Sequence, residues 1–132
     1  MLFKSIYENE GIYHVDAVRV GLSSHWCEGT SIARFDKRTS YAELARDSRQ
    51  ALDIERFRWF SDDYLAQDEA GRVIDMRYSM IPDSIYAMWG ITVDVTRPHD
   101  HVGWWASRQL DAEQFAHFTD LLLGRGCTEV AK

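Results

Sequence analysis

Three short strings carry side chains that could hold a metal or act on a substrate. In His99-Asp100-His101 an HxH pair, if it lay on a strand, would turn both imidazoles to one side and could open a metal site. No third ligand stands nearby, and Pro98 with its polar neighbours predicts a solvated turn. His25-Trp26-Cys27 pairs an imidazole with a thiol two residues away, but no nucleophile-and-base signature surrounds it. Asp62-Asp63 could bind a divalent cation or divide into acid and base. It follows the run Phe57-Arg58-Trp59-Phe60-Ser61 at a helix-to-strand junction, where Asp and Ser serve turns by bonding nearby backbone groups. His14 and His117 read as satisfied or exposed. With no glycine-rich phosphate loop, HExxH or GxSxG string present, no catalytic residue, metal ligand or cofactor is expected.

The aromatic and arginine content points instead to binding. Trp59, Trp89, Trp104 and Trp105, with Tyr64, Tyr78 and Tyr86, come from a helix and a sheet that should pack together. A domain of this size seldom buries so many rings completely, so some are expected to line a groove. Arg58, Trp59, Asp62, Arg77, Tyr78 and Trp89 are the candidate ligand-binding residues, and arginines beside aromatics suit an anionic ligand.

Several elements must position these residues. Residues 2–9 and 12–20 are rich in aromatic and β-branched side chains on either side of Glu10-Gly11, which predicts a β-hairpin. In its second arm neither alternating face is purely apolar, so the buried face stays open. Residues 21–39 read as an irregular excursion containing a short strand at 31–35. Ser40-Tyr41-Ala42-Glu43 matches a capping box and predicts a helix start. From there Leu44 to Phe60 reads as a short helix followed by a longer one. Strands are expected at 64–67, 72–80 and 85–95, with the apolar set Ile85, Ala87, Trp89, Ile91 and Val93 facing the core, and another at 102–107. Asp111 with Gln114 predicts the capped start of a final helix whose stripe is Phe115, Phe118, Leu122 and Leu123. The order describes an α+β domain, a curved antiparallel sheet of five or six strands with two or three helices on one face.

Composition limits the partners. The 132 residues, 45% of them hydrophobic, suit a single domain over 1–132. A net charge of −6 argues against nucleic-acid binding. No apolar run reaches the roughly 20 residues of a membrane helix, so the chain as given is expected to be soluble. Cys27 and Cys127 lie in no metal-binding spacing; they could form one disulfide if the fold brings them together in an oxidising compartment, with two unrelated thiols the favoured reading.

The strings GIYHVDAVRVG, DIERFRWFSDDYLA and RVIDMRYSMIPDSIYAMWGI resemble the C-terminal extension of the YdjM-like family of bacterial inner-membrane metal-dependent hydrolases. The similarity covers roughly residues 2–95, and FRWFSD and MRYSM are its most specific parts. The resemblance implies a parent protein whose metal ligands sit in an N-terminal membrane half, outside this chain. It implies an accessory role here, regulatory, docking or substrate-binding, with that membrane half as the partner and a tether to the inner membrane on a side left open. It carries no catalytic residue onto this sequence. The competing reading is a stand-alone ligand-binding protein or enzyme using the arginine and aromatic groove.

Overall fold

The computed structural model describes residues 1–130. The α+β class holds, with three helices and two antiparallel four-stranded sheets among the described residues, so the strands divide between two sheets rather than forming one curved sheet. The chain makes two compact units. One gathers residues 1–32, 79–86 and the segment from 108 onward, and the other gathers 33–78 and 87–107.

In the first unit, strands β1 (Leu2–Asn9) and β2 (Ile12–Val20) form the expected hairpin, in register from Leu2 opposite Arg19 to Asn9 opposite Ile12. Glu10 and Gly11 both have positive φ, 51° and 77°, as a tight two-residue hairpin turn requires. The open question of the buried face resolves to Tyr13, Val15 and Ala17. Asp16, from the opposite face, is also buried because its carboxylate accepts the Gly29 amide at 2.9 Å.

That amide belongs to β3 (Ser24–Ala33), a ten-residue strand where an irregular excursion was expected. Its polar Ser, Thr, Glu and Gly positions hide the alternation, because much of the strand is exposed. Gly29 is required: a Cβ there would lie 2.6 Å from the Asp83 carbonyl and closer still to that of Val15. The final helix, α3 (Ala112–Leu122), starts with the predicted capping box, Gln114 N to Asp111 Oδ1 at 2.7 Å and Asp111 N to Gln114 Oε1 at 3.0 Å. Its stripe is corrected. Leu121 is the buried residue and Phe115, Leu122 and Leu123 are exposed, so the helix is rotated from the orientation its apolar spacing suggested.

Leu121 packs with Ala17, Cys27 and Ile81, and with half-buried Leu2, Leu110, Phe118 and Cys127. Within this cluster Cys27 and Cys127 are disulfide-bonded, against the expectation of separate thiols. Strand β8 (Thr128–Glu129) pairs with β3, His25 opposite Glu129 and Trp26 opposite Thr128, and that pairing brings the two cysteines together. Strand pairing across a hundred residues leaves no local trace in sequence.

In the second unit Ser40 ends a helix instead of starting one. Asp36 caps the short α1 (Lys37–Ser40), its carboxylate accepting the Arg38 amide. The long helix α2 (Arg49–Phe60) is capped by Ser48, whose hydroxyl accepts the Ala51 amide at 3.2 Å. Gln50, Ala51, Ile54 and Phe57 form its buried face. They meet the sheet of β4 (Leu65–Gln67), β5 (Val73–Asp75), β6 (Trp89–Thr92) and β7 (Gly103–Ala106), in that spatial order. The core comprises Tyr41, Leu44, Ala51, Ile54, Phe57, Leu65, Val73 and Ile91. The strands are shorter than the sequence suggests. Residues 79–86 leave this sheet and join the first unit.

Candidate functional site

The six candidate ligand residues fall into two sets. Arg77, Tyr78 and Trp89 come together at the exit of β5. Arg77 grips the fully buried carboxylate of Asp75 through Nε and Nη2, at 3.0 and 2.9 Å, and its Nη2 also donates to the Phe60 carbonyl at 3.0 Å. Trp89 Nε1 donates to the same carboxylate at 3.3 Å, and its ring packs on Tyr78 with centroids 4.7 Å apart. The bond to Asp75 outweighs partial burial and raises the Arg77 pKa above its ordinary value. Four donors, counting the Arg77 amide at 3.1 Å, converge on Asp75, so this guanidinium is committed to holding the FRWFSD and MRYSM segments together.

The second set lies on and just after α2. Arg58 is divided between Glu55 at 3.2 Å and Asp63 at 3.1 Å. Asp62 and Asp63 both take positive φ, 53° and 62°, in the turn that follows Ser61, as the turn reading of this pair required. Trp59 is 86% exposed. It shares a shallow concavity of about 520 Å³ with Leu52, Glu55, Arg56 and Phe60. Phe60 and Trp104 both pack on Phe57, at 6.3 and 6.2 Å, and are themselves 54% and 63% exposed. Leu52, Trp59 and Phe60 thus line one exposed apolar concavity, and Trp104 is a further exposed ring packed on the edge of Phe57.

Beside it, sharing Leu52 and Arg56, is a second concavity of about 470 Å³ whose other lining residues are Asp47, Arg49, His99 and His101. Two side chains, one buried and one nearly so, build this cradle from beneath. Gln50 takes the Asp94 amide on Oε1 and gives its Nε2 to the Arg97 carbonyl, both at 2.8 Å, and its own amide donates to the Pro98 carbonyl at 3.2 Å. Asp53, with its side chain only 11% exposed, bonds His101 Nδ1 at 2.8 Å, the Val102 amide at 3.1 Å and Arg56 Nη1 at 2.8 Å. Burial works against the Asp53 charge, but the bonds from His101, Val102 and Arg56 overcome it and hold the carboxyl below its ordinary pKa. The polar loop after β6 is therefore fixed against α2, and its His99 and His101 line the concavity together with Arg49, Arg56 and Asp47.

The first unit has its own concavity of about 530 Å³, where His117 Nε2 meets the buried carboxylate of Asp83 at 2.7 Å. Asp111 and Glu113 stand on its wall, and the Asp111 carboxylate is occupied by the helix cap. Among the described residues no group of three or more His, Cys, Asp and Glu side chains is gathered as a metal site would need.

No family model, curated protein or solved structure matches this chain. The residues themselves carry the functional reading. Arg49, Arg56 and the two loop histidines were absent from the candidate set, although a signal was present. Arg49, Leu52, Arg56 and Trp59 recur at spacings of three, four and three, which places them on one stripe of a helix.

Proposed function

We propose that this chain is a docking domain, the accessory extension of a membrane-bound metal-dependent hydrolase of the YdjM-like family. The observation that carries the docking role is the exposure of Leu52, Trp59, Phe60 and Trp104. Large aromatic side chains left exposed in this way anchor surfaces that are covered in use. The parentage rests on the resemblance of the FRWFSD and MRYSM strings, which meet at the Arg77 clamp to Asp75 and the Phe60 carbonyl. No helix among the described residues is long and apolar enough to cross a membrane, so spanning segments would have to lie elsewhere in the parent. The Cys27–Cys127 bridge favours an oxidising compartment, and hence the outer side of an inner membrane.

The test is to read the coding sequence flanking the chain and then to assay the parent. The reading requires membrane-spanning segments bearing His and Asp in the same frame. It further requires that the parent carrying W59A and W104A lose metal-dependent hydrolysis or assembly while the isolated domain stays folded. A frame without such segments, or a parent indifferent to both changes, would sink it.

A further inference from the structure

The face that docks also offers the chemistry for one kind of partner. We propose that the α2 face binds the surface of an anionic phospholipid bilayer. The cradle of Arg49, Arg56, His99 and His101 would receive a phosphate headgroup, and Trp59 and Phe60 would enter the interface beside it. The inference rests on the docking reading in taking this face as a contact surface, and it adds the occupant.

Three observations converge on it. The cradle and the aromatic shelf share Leu52 and Arg56, so a ligand with an anionic end and an apolar body would meet Arg49 and Arg56 in the one and Trp59 and Phe60 in the other. An amphiphilic phosphate has that form. Secondly, the side chains are those suited to a membrane interface. Tryptophan prefers the headgroup level, and arginine can lay its stem on apolar surface while its head meets phosphate. Thirdly, the cradle is already assembled. Gln50 and Asp53 hold the loop bearing both histidines, so ordering it takes no free energy from binding. Arg56 gives one N–H to Asp53 and keeps other donors of its guanidinium for a ligand. Among the described residues no carboxylate lies within ion-pair reach of Arg49.

The charge balance at the cradle makes the inference testable in both directions. Asp53 is committed to Arg56 and His101, Asp47 is the carboxylate on the cradle's lining, and Glu55 on the shelf beside it is engaged by Lys37 and Arg58. Removing Asp47 should favour an anion and removing Arg49 should disfavour it. A gain of binding cannot arise from a variant that fails to fold.

The experiment is co-sedimentation of the chain with phosphatidylcholine vesicles, with and without phosphatidylglycerol, alongside titration with soluble glycerol phosphate. The expected result is retention on the phosphatidylglycerol vesicles alone, weakening as salt rises. R49Q should weaken it about five-fold, D47N should tighten it by a similar factor, and W59A with W104A should weaken it by about ten-fold or more. Soluble glycerol phosphate should bind far more weakly than the vesicles. Equal retention on both vesicle types would overturn the anionic headgroup. Tight binding of glycerol phosphate, with vesicle retention insensitive to W59A, would make the ligand a free phosphate and overturn the bilayer. Self-association abolished by W59A, without vesicle binding, would assign the face to a second copy of this chain. A flanking frame without membrane segments would sink the parentage and leave the vesicle result unchanged, so the two failures are distinguishable.

Discussion

Replacing Arg77 by Met keeps much of the side-chain stem and removes the guanidinium, and the loss can be worked out from what the guanidinium holds. Two of its N–H groups reach Asp75, one of them also reaching the Phe60 carbonyl, and Asp75 is fully buried. Hydrogen bonds to a charged group contribute about 1.5–3 kcal/mol each. Breaking a buried ion pair by deleting one partner costs about 3–5 kcal/mol, because the remaining charge stays uncompensated. The Arg77 side chain is 27% exposed, so water reaches part of the gap and the lower end applies, about 3 kcal/mol. The Arg77 amide and Trp89 Nε1 still serve the carboxylate, which limits the loss in the same direction. Urea unfolding followed by far-ultraviolet circular dichroism should show the free energy of unfolding fall by that amount. D75N combined with R77M should recover part of it, since no unpaired charge is then buried. An R77M cost below about 1 kcal/mol, or a double variant no better than the single one, would refute the assignment of Arg77 to structure.

Other perturbations test the remaining features. Substituting Cys27 and Cys127 by Ala should cost about 2–5 kcal/mol in urea unfolding, because the bridge closes a long loop in the unfolded chain, and a reducing agent should reproduce the effect. Gln50→Ala should cost about 2–3 kcal/mol by orphaning the Asp94 amide, and amide exchange should rise across residues 94–102. The lowered pKa of Asp53 means its ionised form stabilises the fold above the ordinary carboxylate pKa of about 3.9, an advantage lost as pH falls through the lower folded value. The stability gap between the chain and its D53N variant should therefore be constant near neutrality and shrink below about pH 4 in acid-unfolding curves.

What was legible in the sequence was what is local. The hairpin turn at Glu10-Gly11, the Asp111–Gln114 cap and the Asp62-Asp63 turn each depend on neighbouring residues, and all three stand. Features that depend on distant partners were hidden. The polar strand β3 is defined by its pairing in the sheet, Gly29 by the crowding of the Val15 and Asp83 carbonyls, and the disulfide by β8 reaching β3. Ser40-Tyr-Ala-Glu misled because the same residues fit a cap, whereas Asp36 stands four residues earlier with a better-placed carboxylate. In the candidate site arginine beside aromatic was legible as residue type, but type does not show which arginines are engaged. Arg77 and Arg58 have carboxylate partners, and Arg49 on the same helix face as Trp59 became visible only with the fold.

The division of the chain into nested segments has a consequence for the order of assembly. Everything the second unit needs has been synthesised once Ser107 has emerged, whereas the first unit awaits α3, β8 and Cys127. During vectorial synthesis the α2 unit can close while β1, β2 and β3 still lack their last partner. The disulfide then forms late, as a latch that records completion. A chain cut after Ser107 would present a finished α2 face on an unfinished molecule.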